Sequence, residues 1–327
     1  MRLTICSLAR LGGFLSTIPL AAALPSGETN FMSVRENVAK DYESVTEIPQ
    51  DKYFSECSLI STLSVKILTH IHTRRFHYHY DGRFAESPLP DDQVTPHLSA
   101  LIRTYLTTMA SIGAETWIMH GTLLAWWWNQ KVSRFLHLHS AWLVTVPQVP
   151  LPSMQGGPPT HIFLTQIFPW DNDLDVQISE PTIHFLADYY NMTQHHFDIP
   201  GVSGGRTYLL EINPHYVVRT TQDRLNVIDG RWIDTSSGLF IDITAVRKDD
   251  EQRQRGNIEA LMCKDHHRYD ESQIFPLRDS YFEDVPVKVP YAYTWLLEEE
   301  YGPKSMTNKF FGGHKFNDET KVWDPIV

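Results

Sequence analysis

A chain of 327 residues that is 42% hydrophobic, 12% aromatic and 20% charged carries enough apolar side chains to bury a core, which excludes a disordered, collagenous or coiled-coil polymer. Its formal charge of −11 repels a phosphodiester backbone, so no nucleic-acid partner is expected. No repeat with a period of about 20 to 50 residues divides the chain, and its length suits one elaborated domain.

At the start, Arg2 and Arg10 flank the head of an apolar run from Leu11 to Leu24 that contains Ala21-Ala22-Ala23, the pattern of a cleaved secretory signal over residues 1–23. The run falls short of the roughly 20 residues that span a bilayer, so a place in the secretory pathway, luminal or secreted, is expected. Cleavage removes two arginines and leaves a charge of −13. It also removes Cys6, leaving Cys57 and Cys263 as either one disulfide or two unpaired buried thiols in an oxidising lumen. Residues 24–92 form a polar extension without assigned elements, and 93–327 form the domain. Asn191-Met192-Thr193 is a sequon for a surface glycan.

The spacing of Leu98, Leu101, Ile102, Tyr105, Leu106, Met109 and Ile112 predicts an amphipathic helix that Gly113 stops. A short buried strand follows over Thr116–His120, then Gly121-Thr122, then a helix over Leu123–Trp128. A strand that feeds Gly-Thr into a helix leaves backbone N–H groups facing the bend, which makes His120, Gly121 and Thr122 a candidate phosphate seat. Of Trp126, Trp127 and Trp128, adjacent on that helix, at least one belongs to the core.

From Val132 to Gln166 the composition changes: 35 residues hold no Asp or Glu, yet include Pro147, Pro150, Pro152, Pro158 and Pro159. This stretch reads as an insert, either translated intron sequence or a Pro-rich surface loop, since loops of this length are uncommon inside a domain.

Beyond it comes Phe168-Pro169-Trp170-Asp171-Asn172-Asp173-Leu174-Asp175-Val176-Gln177-Ile178, whose acids alternate and so share one face of a strand. Crowded carboxylates repel one another unless a divalent cation sits between them, and hard oxygen ligands suit Mg²⁺ or Mn²⁺. An EF-hand loop starting at Asp171 fails, because Val176 and Thr182 stand where Gly and Glu are required.

With the insert removed, Gly121 and Asp173 lie 17 positions apart, a loop-helix-strand distance. His120-Gly121-Thr122-Leu123-Leu124-Ala125 followed by Phe168-Pro169-Trp170-Asp171-Asn172-Asp173-Leu174-Asp175 resembles the LicD-type branch of the nucleotidyltransferase superfamily. Ile274-Phe275-Pro276-Leu277-Arg278, Val287-Lys288-Val289-Pro290 and Leu296 to Tyr301-Gly302 look like later elements of that family. Trp126-Trp127-Trp128-Asn129, Asn213-Pro214-His215-Tyr216 and Asn226-Val227-Ile228-Asp229 look most like its fungal subgroup, linked to adding mannosylphosphate to cell-wall glycans. Bacterial members usually carry Gly at the position of Ala125 and Arg near Trp128, so a phosphate-binding cation must come from elsewhere.

The resemblance implies an α+β, nucleotidyltransferase-like mixed sheet flanked by helices, with a C-terminal elaboration. It also implies a third carboxylate on a neighbouring strand. Asp242, embedded in Gly238-Leu239-Phe240-Ile241-Asp242-Ile243-Thr244, is the candidate, whereas Asp234 reads as a turn residue. A helix over Ile183–Asn191 and strands near Tyr208–Ile212, Asn226–Ile233 and Leu239–Val246 complete the sheet.

The expected chemistry is transfer of a phospho-sugar, mannose phosphate, from a nucleotide sugar such as GDP-mannose to a glycan or glycoprotein hydroxyl. Asp173, Asp175 and Asp242 are its catalytic carboxylates, and with Asp171 they hold Mg²⁺ or Mn²⁺. Two alternatives use the same residues: a luminal, non-catalytic regulator of a partner mannosylphosphate transferase, or a D-x-D glycosyltransferase. His70, His72, His77, His79, His195-His196 and His266-His267 read as ordinary histidines, and Glu298-Glu299-Glu300 as a solvated face.

Overall fold

The computed structural model describes residues 79–85, 87–129, 166–220 and 227–326. The expected signal over 1–23, Cys57, His70, His72, His77 and residues 132–165 lie outside them.

Helix α1 (Asp91–Ile112) starts about two turns before its apolar stripe, with Pro90 ahead of it and Asp91 and Asp92 in the first turn, where negative charge meets the positive helix end. Gly113 ends it in the left-handed conformation, φ 74°, and its amide returns to the Ala110 carbonyl. Leu98, Leu101, Ile102, Tyr105, Leu106 and Met109 are all buried. Among the described residues, no helix is long and apolar enough to cross a membrane.

Strand β1 (Thr116–Ile118) leads into helix α2, residues 120–129, and the chain re-enters the described fold at Gln166. Then come β2 (Asp175–Ser179), α3 (Glu180–Tyr189), β3 (Thr193–Phe197), β4 (Arg206–Ile212), β5 (Gly230–Asp234) and β6 (Phe240–Lys248). The sheet runs β1-β2-β6-β5-β4-β3 and is extended from β6 by β7 (Ala260–Met262) and β8 (Arg268–Asp270). Strands β2 and β6 are parallel, while the other described neighbours in this sheet are antiparallel. The architecture is α+β with a mixed sheet, as expected.

The period of two divides the sheet into unlike faces. Val176, Ile178, Leu210, Trp232, Ile241, Ile243 and Ala245 join α1 and α3 in the main core. Tyr105 meets Trp232 edge to face, and the Trp232 indole donates to Thr104 Oγ1 at 3.2 Å. The opposite face carries Asp175, Asp242, Arg231 and Glu211.

A second cluster forms where the short sheet β11 (Phe310–Phe311), β12 (His314–Phe316) and β13 (Trp323–Pro325) docks on α2. Ala125, Trp128, Phe168, Phe316 and Trp323 are buried there. Trp126 is also buried and donates to Ser280 Oγ at 2.9 Å, whereas Trp127 is half-buried. The hairpin β9 (Arg278–Phe282) and β10 (Val285–Val289) covers the far end of α1.

Residues 79–85, inside the expected extension, dock on the sheet. Tyr80 bridges to Leu239, and Ala85 sits so close to Gly238 (φ 79°) that a Cβ there would come within 2.6 Å of the Ala85 Cβ. Asp234 closes the same turn: its carboxylate accepts from the Ser236 amide at 2.8 Å and lies 3.1 Å from His97 Nδ1.

Gln166, counted with the insert in the sequence, is buried. It exchanges hydrogen bonds with Glu283, and its carbonyl accepts from Asn129 Nδ2 at 2.7 Å. The two ends of the 130–165 segment therefore leave and rejoin the fold at one place.

Candidate functional site

The strand-to-helix bend and the acidic segment meet directly. Thr122 Oγ1 accepts from the Asp175 amide at 2.9 Å, and the Met119 amide donates to the Asp175 carbonyl at 3.2 Å. Thr122 is buried, so its oxygen fixes the first residue of β2. Gly121 has space beside it: an added Cβ would make an ordinary contact with Tyr301 Oη at 3.9 Å. Neither packing nor a positive φ demands glycine there. His120 does take a positive φ, 53°, an uncommon conformation for a residue with a side chain.

Asp175 and Asp242 are register partners in the parallel pair β2–β6, so their side chains emerge side by side. Asp242 in turn pairs with Arg231 on β5, and Arg231 with Glu211 on β4. The result is a charged row across four adjacent strands. Arg231 Nε donates to Asp242 Oδ1 at 2.8 Å, and its guanidinium lies over the Phe240 ring at 3.9 Å. Glu211, fully buried, is held by both guanidinium nitrogens of Arg83.

Asp171 and Asp173 sit differently from expectation. The strand begins only at Asp175: Asp171 closes a turn, its amide donating to the Phe168 carbonyl at 3.1 Å, and Asp173 lies in the irregular stretch between that turn and the strand. They reach the strand edge from a loop rather than along one strand face. Asp173 is half-exposed and lies 3.7 Å from His79 Nδ1.

Raised carboxyl pKa values mark this acidic group, although no three of Asp171, Asp173, Asp175 and Asp242 bring ligand atoms within 4.8 Å of one another. Burial, then the charges of Asp173 and Asp242, push the Asp175 carboxyl well above the usual range. Burial and Asp242 also raise Asp173. Burial and Asp173 bring Asp171 up to about 7. Such a set favours protons or a bound cation over bare charge, and an all-oxygen donor set suits Mg²⁺ or Mn²⁺.

Several neighbours escaped the sequence. Arg231 is one of them, since Gly230–Asp234 offered only a strand pattern. Glu298 and Glu299 are exposed, but Glu300 turns onto His120: both its oxygens lie 2.9 Å from Nδ1. Burial opposes the Glu300 charge, yet His120 holds its carboxyl below the ordinary value. Asp265 and His267, from the β7–β8 loop, complete this group. Burial works against Asp265 as well, but His267 and His120 hold it at about 2. The adjacent pair His266-His267 was the available signal, and only the fold brings its second member against His120, with ring centroids 4.2 Å apart. Cys263 is buried beside Tyr269.

Two proteins of Saccharomyces cerevisiae (strain ATCC 204508 / S288c) are similar to this chain. Mannosyltransferase regulator 4 is 28% identical over 172 residues, 52% of this chain and 12% of that protein. Mannosyltransferase regulator 14 is 26% identical over 237 residues, 71% of this chain and 20% of that protein. The matched segments thus span a fifth or less of these relatives' length. No protein-family model matches the chain.

Proposed function

We propose that this chain acts in protein or glycan mannosylation as a LicD-type phospho-sugar transferase of the secretory pathway. It would move mannose phosphate from a nucleotide sugar, GDP-mannose, to a glycan hydroxyl, breaking the pyrophosphate bond and releasing GMP and the hydroxyl proton. The names of the two yeast relatives support the mannosylation context. The observation that carries the chemistry is the register pair Asp175–Asp242, tied through the Asp175 amide to Thr122 of the bend.

In this reading Asp173, Asp175 and Asp242 hold Mg²⁺ or Mn²⁺, with Asp171 at the margin. The ion would neutralise donor phosphate charge and so ease attack by the acceptor oxygen. His120, Gly121 and Thr122 form the wall against which the donor phosphates rest, and the open space beside Gly121 admits a phosphate oxygen close to the backbone. Arg231 keeps Asp242 oriented and offsets part of the charge of the carboxylate group.

The names of the two yeast relatives favour a second reading, a luminal regulator that serves a partner mannosylphosphate transferase. One experiment separates the two. The purified chain is incubated with GDP-mannose, an oligomannose acceptor and Mn²⁺, and the product is tested for an acid-labile phosphodiester. Product from the chain, absent with Asp175→Asn, supports transfer. No product alone, but a raised yield when a separate mannosylphosphate transferase is added, supports the regulator. If neither result is obtained, both readings are overturned.

A further inference from the structure

We propose that His120, Asp265 and His267 form a binding site for one divalent transition-metal ion of the Zn²⁺ class, separate from the aspartates of β2 and β6. One ligand atom from each of the three residues lies within 4.8 Å of the other two. His120 Nε2 is 3.6 Å from Asp265 Oδ2, and His267 Nδ1 is 3.0 Å from the same oxygen. Ligands bound tetrahedrally at the usual Zn–N and Zn–O lengths stand about 3.4 Å apart, so an ion fits between these atoms after small side-chain shifts.

The hydrogen-bond geometry points the same way. His120 Nδ1 lies 2.9 Å from both Glu300 oxygens, which leaves Nε2 as the ring nitrogen that faces Asp265. A ligating histidine characteristically donates its other nitrogen to a carboxylate in this manner, which fixes the tautomer and strengthens the ligand. His267 Nδ1 is buried and, despite its nearness to Asp265, has no aligned hydrogen-bond partner. Among the described residues the Gln177 amide also approaches His120 Nε2, at 3.4 Å, a contact too long to compete with a metal bond. Gln177 is independently satisfied by donation to Tyr269 Oη at 3.1 Å.

Two imidazoles and one carboxylate form a borderline donor set. It suits Zn²⁺, Co²⁺ or Fe²⁺ better than Mg²⁺, whereas the aspartates of β2 and β6 offer oxygen alone. Such an ion would pin the bend at His120 to the β7–β8 loop, with Glu300 of α6 (Tyr293–Tyr301) backing it.

The test uses the full chain, stripped with a chelator and titrated with Co²⁺ alone while visible absorption is followed, then with Zn²⁺ in competition. One equivalent of Co²⁺ with the absorption of low-coordinate cobalt, displaced by Zn²⁺, is expected, while any Co²⁺ on the aspartates, held by oxygen alone, adds only weak six-coordinate absorption. His267→Gln and Asp265→Asn are expected to weaken binding about tenfold or more, and Glu300→Gln about tenfold, whereas Asp173→Asn leaves it unchanged. Circular dichroism and thermal unfolding check each variant. His267 is partly exposed, so if Asp265→Asn fails to fold, His267→Gln decides. Wild-type protein that takes up neither ion would overturn the site. So would undiminished binding in folded His267→Gln, or loss of binding in Asp173→Asn, which would put the ion on the aspartates. Phospho-sugar transfer stands or falls by Asp175→Asn and not by these results.

Discussion

Arg231 Nε donates to Asp242 Oδ1 across 2.8 Å, so one oxygen of a proposed metal-holding carboxylate is already committed to a cation from the next strand. The arrangement leaves Asp242 a single oxygen for an ion and makes its position depend on Arg231. Replacing Arg231 with Gln keeps a hydrogen-bond donor but removes the charge. We expect a loss of about 1 to 3 kcal/mol in urea unfolding without divalent ions. Part of it should return with Mn²⁺, whose charge replaces that of the guanidinium. Equal losses with and without Mn²⁺ would argue against an ion at Asp242.

Asp175→Asn separates stability from activity. The charge of Asp175 is opposed by burial and by Asp173, Asp242, Glu300 and Asp265, so a neutral amide relieves repulsion. Without metal, the variant should unfold at a higher temperature than the parent. In the phosphodiester assay it should be inactive, because an amide cannot hold a divalent ion as a carboxylate does. A variant that is both destabilised and active would contradict the assignment.

Acid sensitivity should trace in part to His195. Burial lowers its pKa from 6.5 to about 4, next to the Trp232 ring at 5.1 Å. Between these two values the unfolded chain takes up a proton that the folded chain refuses, so stability from this residue is lost as pH falls from about 6.5 toward 4. His195→Gln removes that contribution. Thermal unfolding at pH 7 and pH 5 should show a smaller drop for the variant than for the parent.

The junction at Asn129 and Gln166 gives a sharp test of the long segment between them. With the Asn129 side chain bonded to the Gln166 carbonyl, a chain lacking residues 130–165 and closed by two glycines should fold with nearly the parent's stability. Closing a longer loop costs on the order of 1 to 2 kcal/mol, so the shortened form should be equal or slightly more stable. Removing Gln166 as well takes away the acceptor of the Glu283 amide and one donor to its carboxylate, which Ser99 Oγ still serves. That second deletion should cost about 1 to 3 kcal/mol more, measured by denaturant unfolding.

What the sequence disclosed followed from local pattern. The α1 stripe from Leu98 to Met109 was legible because side chains three and four apart share a helix face. Its true start at Asp91 was not, since the first turns carry few apolar residues to mark them. Asp242 stood out because Phe240, Ile241 and Ile243 announce a buried strand around it. Its neighbours Arg231 and Glu211 were invisible, because a register between β4, β5 and β6 is a property of pairing and not of spacing. The same reason hid Glu300 and His267, which reach His120 from α6 and from a loop. The alternation of Asp171, Asp173 and Asp175 suggested one continuous strand face, but a turn at Phe168–Asp171 delays the strand to its last member.

The parallel pairing of β2 with β6 has a bearing on how the protein acquires its acidic centre. Asp175 and Asp242 are 67 positions apart, and α3, β3, β4 and β5 intervene before the second strand can slot beside the first. Contacts of such separation form late and slowly, after local helices and hairpins have paid their loop-closure entropy. The two carboxylates become neighbours only where β6 is seated beside β2, so the pair is a property of the completed sheet. An ion captured between them would bind the finished protein and not its precursors, so that metal uptake during refolding would mark the arrival of the native state rather than guide the route to it.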